Sequence, residues 1–143
     1  MTKALILNVD DYDPARYARS LLLRQAGFDV KEAVNGDEAL RVAVNEGPEV
    51  VLLDVNLPDM SGFEVCRRLK ADPVTACVSV LHVSATQVAP RDAAFGLEGG
   101  ADAYLVEPVD PAVLVATVHA LLRLRRAEGS VQELLAGEQA ARA

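Results

Sequence analysis

The chain has 143 residues, 51% hydrophobic and 24% charged, the size and composition of one globular domain that buries a core without staples. Its 14 basic and 21 acidic residues leave a net charge of −7, a field that repels nucleic acid and anionic membranes. No apolar run approaches membrane-spanning length, MTKALILNVDDYD lacks the basic start and cleavage region of a signal peptide, and Cys66 and Cys77 form neither a disulfide framework nor a metal-ligand spacing, so a cytoplasmic protein with reduced, partly buried thiols is expected.

Short β-rich apolar runs alternate with amphipathic stretches. ALILNV (4–9) is a continuous apolar run ending at Asp10 and Asp11, the mark of a strand covered on both faces. Asp13-Pro14 reads as a helix cap plus first-turn proline, with Ala15, Ala18, Leu21, Leu22 and Gln25 at helical spacing and Gly27 as the stop. Residues 28–33 form a second strand closed by the turn pair Asn35-Gly36, and a helix over 37–46 turns Ala39, Leu40 and Ala43 inward. VVLLD (50–54) is the most apolar strand and therefore central. Ser61 or Gly62 opens a helix with Phe63, Cys66 and Leu69 on one face, broken at Asp72-Pro73. Residues 78–85 are a fourth strand, 91–98 a short helix and 103–106 a fifth strand. Asp110-Pro111 caps a last helix that buries Leu114, Val118, Leu121 and Leu122 and runs to about Arg126. Five βα units in strict alternation imply a parallel sheet with helices on both faces.

In such a fold, ligands bind beyond the carboxyl ends of the strands. Those ends carry Asp10 and Asp11, then Asp54, Ser84 and Glu107. If strands 1 and 3 are neighbours, three carboxylates converge. At ~6 Å and an effective dielectric of ~20, each pair repels by roughly 3 kcal/mol. A hard divalent cation relieves that repulsion, and Mg2+ suits one or two carboxylates plus waters and a phosphate oxygen. Taken singly, each acid reads as a helix or loop cap; together they read as a metal site.

The stretches LNVDDYDPAR, VVLLDVNLPDMSGFEV, LHVSAT and GADAYLVEPVD, in that order and at fitting distances, resemble the receiver domains of two-component response regulators over about residues 3–126. The resemblance implies a flavodoxin-like sheet of order 2-1-3-4-5 and a domain phosphorylated by a histidine kinase or phosphotransfer protein. It implies that Asp54 accepts the phosphoryl group and that Asp10, Asp11, Asp54 and the backbone carbonyl of Asn56 bind Mg2+. Ser84 then matches the hydroxyl that meets the phosphoryl oxygen, Tyr104 the aromatic switch, and Pro58 and Gly62 the turn after the nucleophile. Such a carboxylate becomes nucleophilic when metal neutralises its neighbours. The family pattern has lysine where this chain has Glu107, before a proline whose peptide bond is expected to be cis. Glu107 either rotates into solvent, the favoured reading, or joins the acids as an extra ligand; both leave the site without a fixed cation, with slow or unstable phosphorylation expected.

Two rival functions are weighed beside this one. A phosphorylation-independent pseudo-receiver would be a protein-interaction module only. An aspartyl phosphohydrolase similar to the haloacid dehalogenase family would need Asp-x-Asp where this chain has Asp54-Val-Asn56, so an enzyme is not expected. His82, in an apolar run, reads as a neutral core histidine, and His119 as a boundary residue. Arg123, Arg125 and Arg126 read as solvated complements to a helix C-terminus. Residues 127–143 lie outside the 1–126 domain. Ser130 to Glu133 reads as a capping box opening a further helix after a break at Gly129, with Val131, Leu134 and Leu135 on one edge, either a free tail or a connector that dimerises.

Overall fold

The computed structural model describes residues 3–84 and 90–142. Five strands, β1 (Leu5–Val9), β2 (Asp29–Ala33), β3 (Val50–Asp54), β4 (Ser79–Ser84) and β5 (Ala103–Val106), pair in parallel in the order β2-β1-β3-β4-β5. Between and after them come α1 (Asp13–Gln25), α2 (Gly36–Glu46), α3 (Gly62–Ala71), α4 (Pro90–Glu98) and α5 (Pro111–Arg142). The expected strand reaches Ala85, which lies outside the described residues, as does Thr86 of the quoted LHVSAT.

Side chains of β1 and β3 alternate between two cores, as the two-residue period of a strand requires. Leu7, Val9, Val51 and Leu53 meet Ala39, Ala43, Val65, Cys66 and Leu69 from α2 and α3. Ile6, Val50 and Leu52 meet Leu23 of α1 and Leu114, Val118, Leu121 and Leu122 of α5. All five residues of β3 are buried, so the central strand is the one whose sequence is apolar up to its final aspartate.

Several local expectations change. In α1 the buried residues are Arg19, Ser20 and Leu23, whereas Ala18, Leu21 and Gln25 are exposed. The inward face is centred on Arg19, Ser20 and Leu23 and flanked by half-buried Ala15 and Leu22, which an apolar count misses because two of its three central residues are polar. Asp13 does not cap α1: Tyr12 holds the cap position without a side-chain bond, while Asp13 pairs with Arg16 at 2.6 Å. Finally, α5 is continuous through Gly129 and Ser130 to Arg142, so Ser130 opens no new helix. Arg125 and Arg126 therefore lie mid-helix, each 3.7 Å from Glu49, and Arg125 Nε donates to the Cys77 carbonyl at 3.2 Å. Cys66 is buried, which pushes its thiol up to about 11; Cys77, expected to be partly buried, is exposed.

Candidate functional site

β1 and β3 are adjacent and in register, so Asp10 and Asp54 emerge side by side at their carboxyl ends. Asp10 is 3% exposed and Asp54 7% exposed, with Asp11 facing solvent beside them. One carboxylate oxygen from each of the three lies within 4.8 Å of the others. Oδ1 of Asp10 accepts the Tyr12 N–H at 2.9 Å, so the acid also fixes the turn into α1. Oδ1 of Asp54 accepts the Asn56 N–H at 3.1 Å. Burial raises the Asp54 carboxyl to about 6; the Asn56 N–H and Arg19 oppose that rise, and Asp10 and Asp11 add to it. An all-oxygen set of three crowded carboxylates is the chemistry a hard cation such as Mg2+ takes, and these residues fit it.

The loop after β3 is held in place from two sides. Gly62 N–H donates to the Val55 carbonyl at 2.7 Å, and a Cβ on Gly62 would lie 2.2 Å from the Asp54 carbonyl oxygen, so only glycine allows α3 to start this close to the acid. Asp59 accepts the N–H groups of Gly36 and Asp37 at 2.8 and 2.9 Å, which tie the loop to α2 and hold its carboxyl below the usual range.

On the β4–β5 side, Ser84 is fully buried and the Tyr104 hydroxyl is buried beside it. Burial pushes the Tyr104 phenol up, the Ser84 side chain opposing. Behind them His82 is fully buried, with its ring centroid 5.1 Å from Phe63 and 5.8 Å from Tyr104. Its Nδ1 lies 3.4 Å from the Leu53 carbonyl, and burial depresses it to about 4, the neutral core histidine expected. His119 is exposed against Phe28, at the boundary as expected.

Glu107 departs from both sequence readings. Its N–H donates to the Ser84 carbonyl at 2.7 Å, and the Glu107–Pro108 peptide is cis as expected. Its carboxylate neither rotates free into solvent nor joins the three-acid set; it pairs with Nη2 of Arg19. Nη1 of the same guanidinium donates to Asp10 Oδ2 at 2.7 Å. The site therefore has a fixed cation, supplied by α1, and the expectation of none is corrected. Asp10, Asp11, Asn56, Arg19, Asp54 and Glu107 line one open cleft of about 500 Å³. Sequence reasoning missed Arg19, because no apolar periodicity signals a buried arginine beside Ser20 and Leu23.

The sequence model of the response regulator receiver domain matches residues 6–119. The DNA-binding dual master transcriptional regulator RpaA of Synechocystis sp. is 40% identical over 119 residues, covering 82% of this chain and 48% of that protein. Protein PilH of Pseudomonas aeruginosa is 36% identical over 83% of this chain and 98% of its own length. Among solved structures, a CheY-like receiver domain protein from Methanospirillum hungatei superposes with a TM-score of 0.82 at 28% identity, covering 89% of this chain and 99% of that one. The receiver domain of a signal transduction histidine kinase from Syntrophus aciditrophicus gives 0.77 at 31% identity, over 84% and 90%. The chain spans about half or less of the length of several curated relatives, including RpaA and the response regulator PleD of Caulobacter vibrioides. With the matching profile, sheet order and acidic cleft, the chain belongs to the response regulator receiver domain family.

Proposed function

We propose that this chain is a Mg2+-dependent phosphoryl acceptor acting in the cytoplasm, with Asp54 as the acceptor and a histidine kinase or phosphotransfer protein as the donor. The observation that carries the reading is the trio Asp10, Asp11 and Asp54 within 4.8 Å, at the ends of two neighbouring strands. Asp10, Asp11, Asp54 and the Asn56 carbonyl would hold the ion, which when bound supplies charge neutralisation for the acids and the incoming phosphoryl oxygens. Asp54 has one oxygen oriented by the Asn56 N–H, which leaves the other to attack phosphorus in line. The donor's P–N bond breaks as the Asp54 Oδ–P bond forms, and the leaving imidazole takes a proton from solvent. Ser84 is the hydroxyl for a phosphoryl oxygen, and Tyr104 the aromatic side chain that follows its movement. Turnover is limited to loss of the domain's own phosphoryl group.

Mass spectrometry after phosphoramidate or acetyl phosphate treatment tests this. The wild type should gain one phosphoryl group only with Mg2+, and Asp54→Asn should gain none. An unlabelled wild type at saturating Mg2+ leaves the interaction-module reading in its place.

We further propose that the domain ends near residue 126 and that the rest of α5 is a connector that pairs with a second copy. Val113, Thr117, Ala120, Leu124, Ala127, Val131 and Leu134 recur at alternating four- and three-residue steps along α5. Val113, Leu124, Val131 and Leu134 are 48, 54, 55 and 72% exposed. This is a coiled-coil seam, and in a parallel pair it sets Arg123 of one helix opposite Glu128 of the other. Sedimentation should show concentration-dependent association that Leu124→Glu with Val131→Glu abolishes. Concentration-independent monomers would leave the segment a free tail.

A further inference from the structure

We propose that Arg19 is the cation that meets the phosphoryl group on Asp54, and that Glu107 is the positioning residue that holds it there. The inference rests on the reading of Asp54 as acceptor and assigns the charge that this reading lacks. Four carboxylates face the cleft, and Arg19 is the cation among the described residues that line it. The side chain comes from the second turn of α1, is 9% exposed and divides its fork, Nη1 to Asp10 and Nη2 to Glu107.

The two partners differ in what else asks for them. Both Asp10 oxygens are engaged, Oδ1 by the Tyr12 N–H and Oδ2 by Arg19. Asp10 is also a member of the metal-binding trio. A divalent cation and a guanidinium repel each other and compete for the same carboxylate, so loading the site loosens the Nη1 arm. Glu107 lies outside the trio, and its backbone is pinned to Ser84 at 2.7 Å. It therefore keeps the Nη2 arm when Asp10 releases the other.

The released arm pivots about Glu107 toward the acid next to Asp10, which is Asp54; carboxylate oxygens of the two lie within 4.8 Å. A planar guanidinium matches the oxygens of a phosphoryl group better than those of a lone carboxylate already bonded to a backbone N–H. The acid at the end of β5 thus acts through a basic residue on α1: the charge comes from one element and its aim from another. Metal-free, Arg19 stands in for the ion at Asp10; with metal bound, it is delivered to the acceptor.

The test uses the chain with Mg2+ and with beryllofluoride as the phosphoryl probe. Mg2+ binding is followed by the amide NMR shifts of Asp11 and Asn56, and beryllofluoride by 19F NMR at saturating Mg2+. Arg19→Gln should bind Mg2+ several-fold more tightly, having lost the competitor, and should need at least about ten-fold more beryllofluoride, the loss of one charge-assisted hydrogen bond. Glu107→Gln should weaken beryllofluoride several-fold, and Arg19→Lys should recover part of what glutamine loses. A folded Arg19→Gln protein with wild-type beryllofluoride affinity overturns the proposal, as does a parallel fall in both affinities, the mark of a structural residue. If the glutamine variant does not fold, Arg19→Lys carries the test, because loss of the fork should still weaken the probe several-fold and no change overturns the assignment. Failure of the acceptor reading is distinguishable: wild type would then take neither beryllofluoride nor a phosphoryl group, while the Mg2+ titration still reports whether Arg19 and metal compete.

Discussion

Helices α1 and α5 cover the same face of the sheet by opposite means. From α5 the buried stripe is apolar, Leu114, Val118, Leu121 and Leu122, laid on Ile6, Leu52, Leu81 and Val83. From α1 it is mixed: Leu23 joins that core, while Arg19 and Ser20 are buried about one turn nearer the cleft. Ser20 Oγ accepts from Asn8 Nδ2 at 3.0 Å and donates to Glu32 at 3.1 Å, so α1 is seated on β1 and β2 partly through a polar chain. Burial of α5 responds to temperature and denaturant. The seating of α1 should also respond to what occupies the acidic cleft, because its arginine bonds Asp10, a member of the three-acid cluster.

The largest expected effect comes from breaking that bond. Arg19→Leu leaves Asp10 buried, unpaired and next to Asp54, and removing one partner of a buried pair costs about 3–5 kcal/mol. Mg2+ should return part of the loss by binding the folded state alone. Leu121→Ala should cost about 2–4 kcal/mol through transfer and cavity terms, and Mg2+ should leave the mutational difference unchanged. Urea unfolding of both variants with and without Mg2+ checks the contrast; equal Mg2+ responses would mean that α1 and α5 are held by the same kind of interaction.

A smaller effect sharpens the contrast through pH. The Asp54 carboxyl is raised from 3.8 to about 6 in the folded protein. Between those values the folded state holds more proton than the unfolded chain, so this group's contribution to stability falls as pH rises from about 4 to 6. Its size is roughly 1–3 kcal/mol. Asp54→Asn should flatten the metal-free profile over that window, and Mg2+ should do the same in the wild type by favouring the ionised acid. Arg19→Gln should move the fall to higher pH, since Arg19 is one of the groups that hold the carboxyl down. A wild-type profile with no fall between pH 4 and 6 would contradict the burial argument for Asp54.

What the sequence disclosed follows the same division. Apolar alternation and punctuation by Gly47-Pro48, Asp72-Pro73 and Asp110-Pro111 were enough for five strands, five helices and their parallel arrangement, because burial of those segments depends on side-chain polarity alone. The strand order and the roles expected of Asp54, Ser84 and Tyr104 came from the resemblance. The Asp10–Asp11–Asp54 cluster was legible because each acid stands at a strand end. Arg19 was not, because its burial is stabilised by two anions far from it in sequence, nine residues back and eighty-eight ahead. Glu107 could be recognised as a reversed charge, but the partner that reversal demands lies on an element the local pattern describes as ordinary amphipathic helix. The continuity of α5 was missed for a different reason: a capping box and a glycine are local signals, and a helix already nucleated on the core can run through both.

The smallest effect separates the anchored part of α5 from its extension. Gly129 lies mid-helix with nothing within 4 Å of the position a Cβ would take, so Gly129→Ala adds no clash and removes a backbone-entropy penalty of about 1 kcal/mol. Val131 and Leu134 beyond it are exposed and contribute nothing to either core, so the global unfolding midpoint should scarcely move. The gain should fall instead on local opening, as roughly five-fold slower amide exchange over residues 130–135 with no change at Leu114 or Val118. In the heptad frame of the seam, Gly129 occupies the outer position, away from the Leu124-Val131 stripe. The same substitution should therefore tighten self-association only through the helix it stiffens, and by no more than the local gain. A midpoint that rises by the full amount would place the extension inside the cooperative unit, and exchange that stays fast would show that residues beyond Gly129 open for reasons other than glycine.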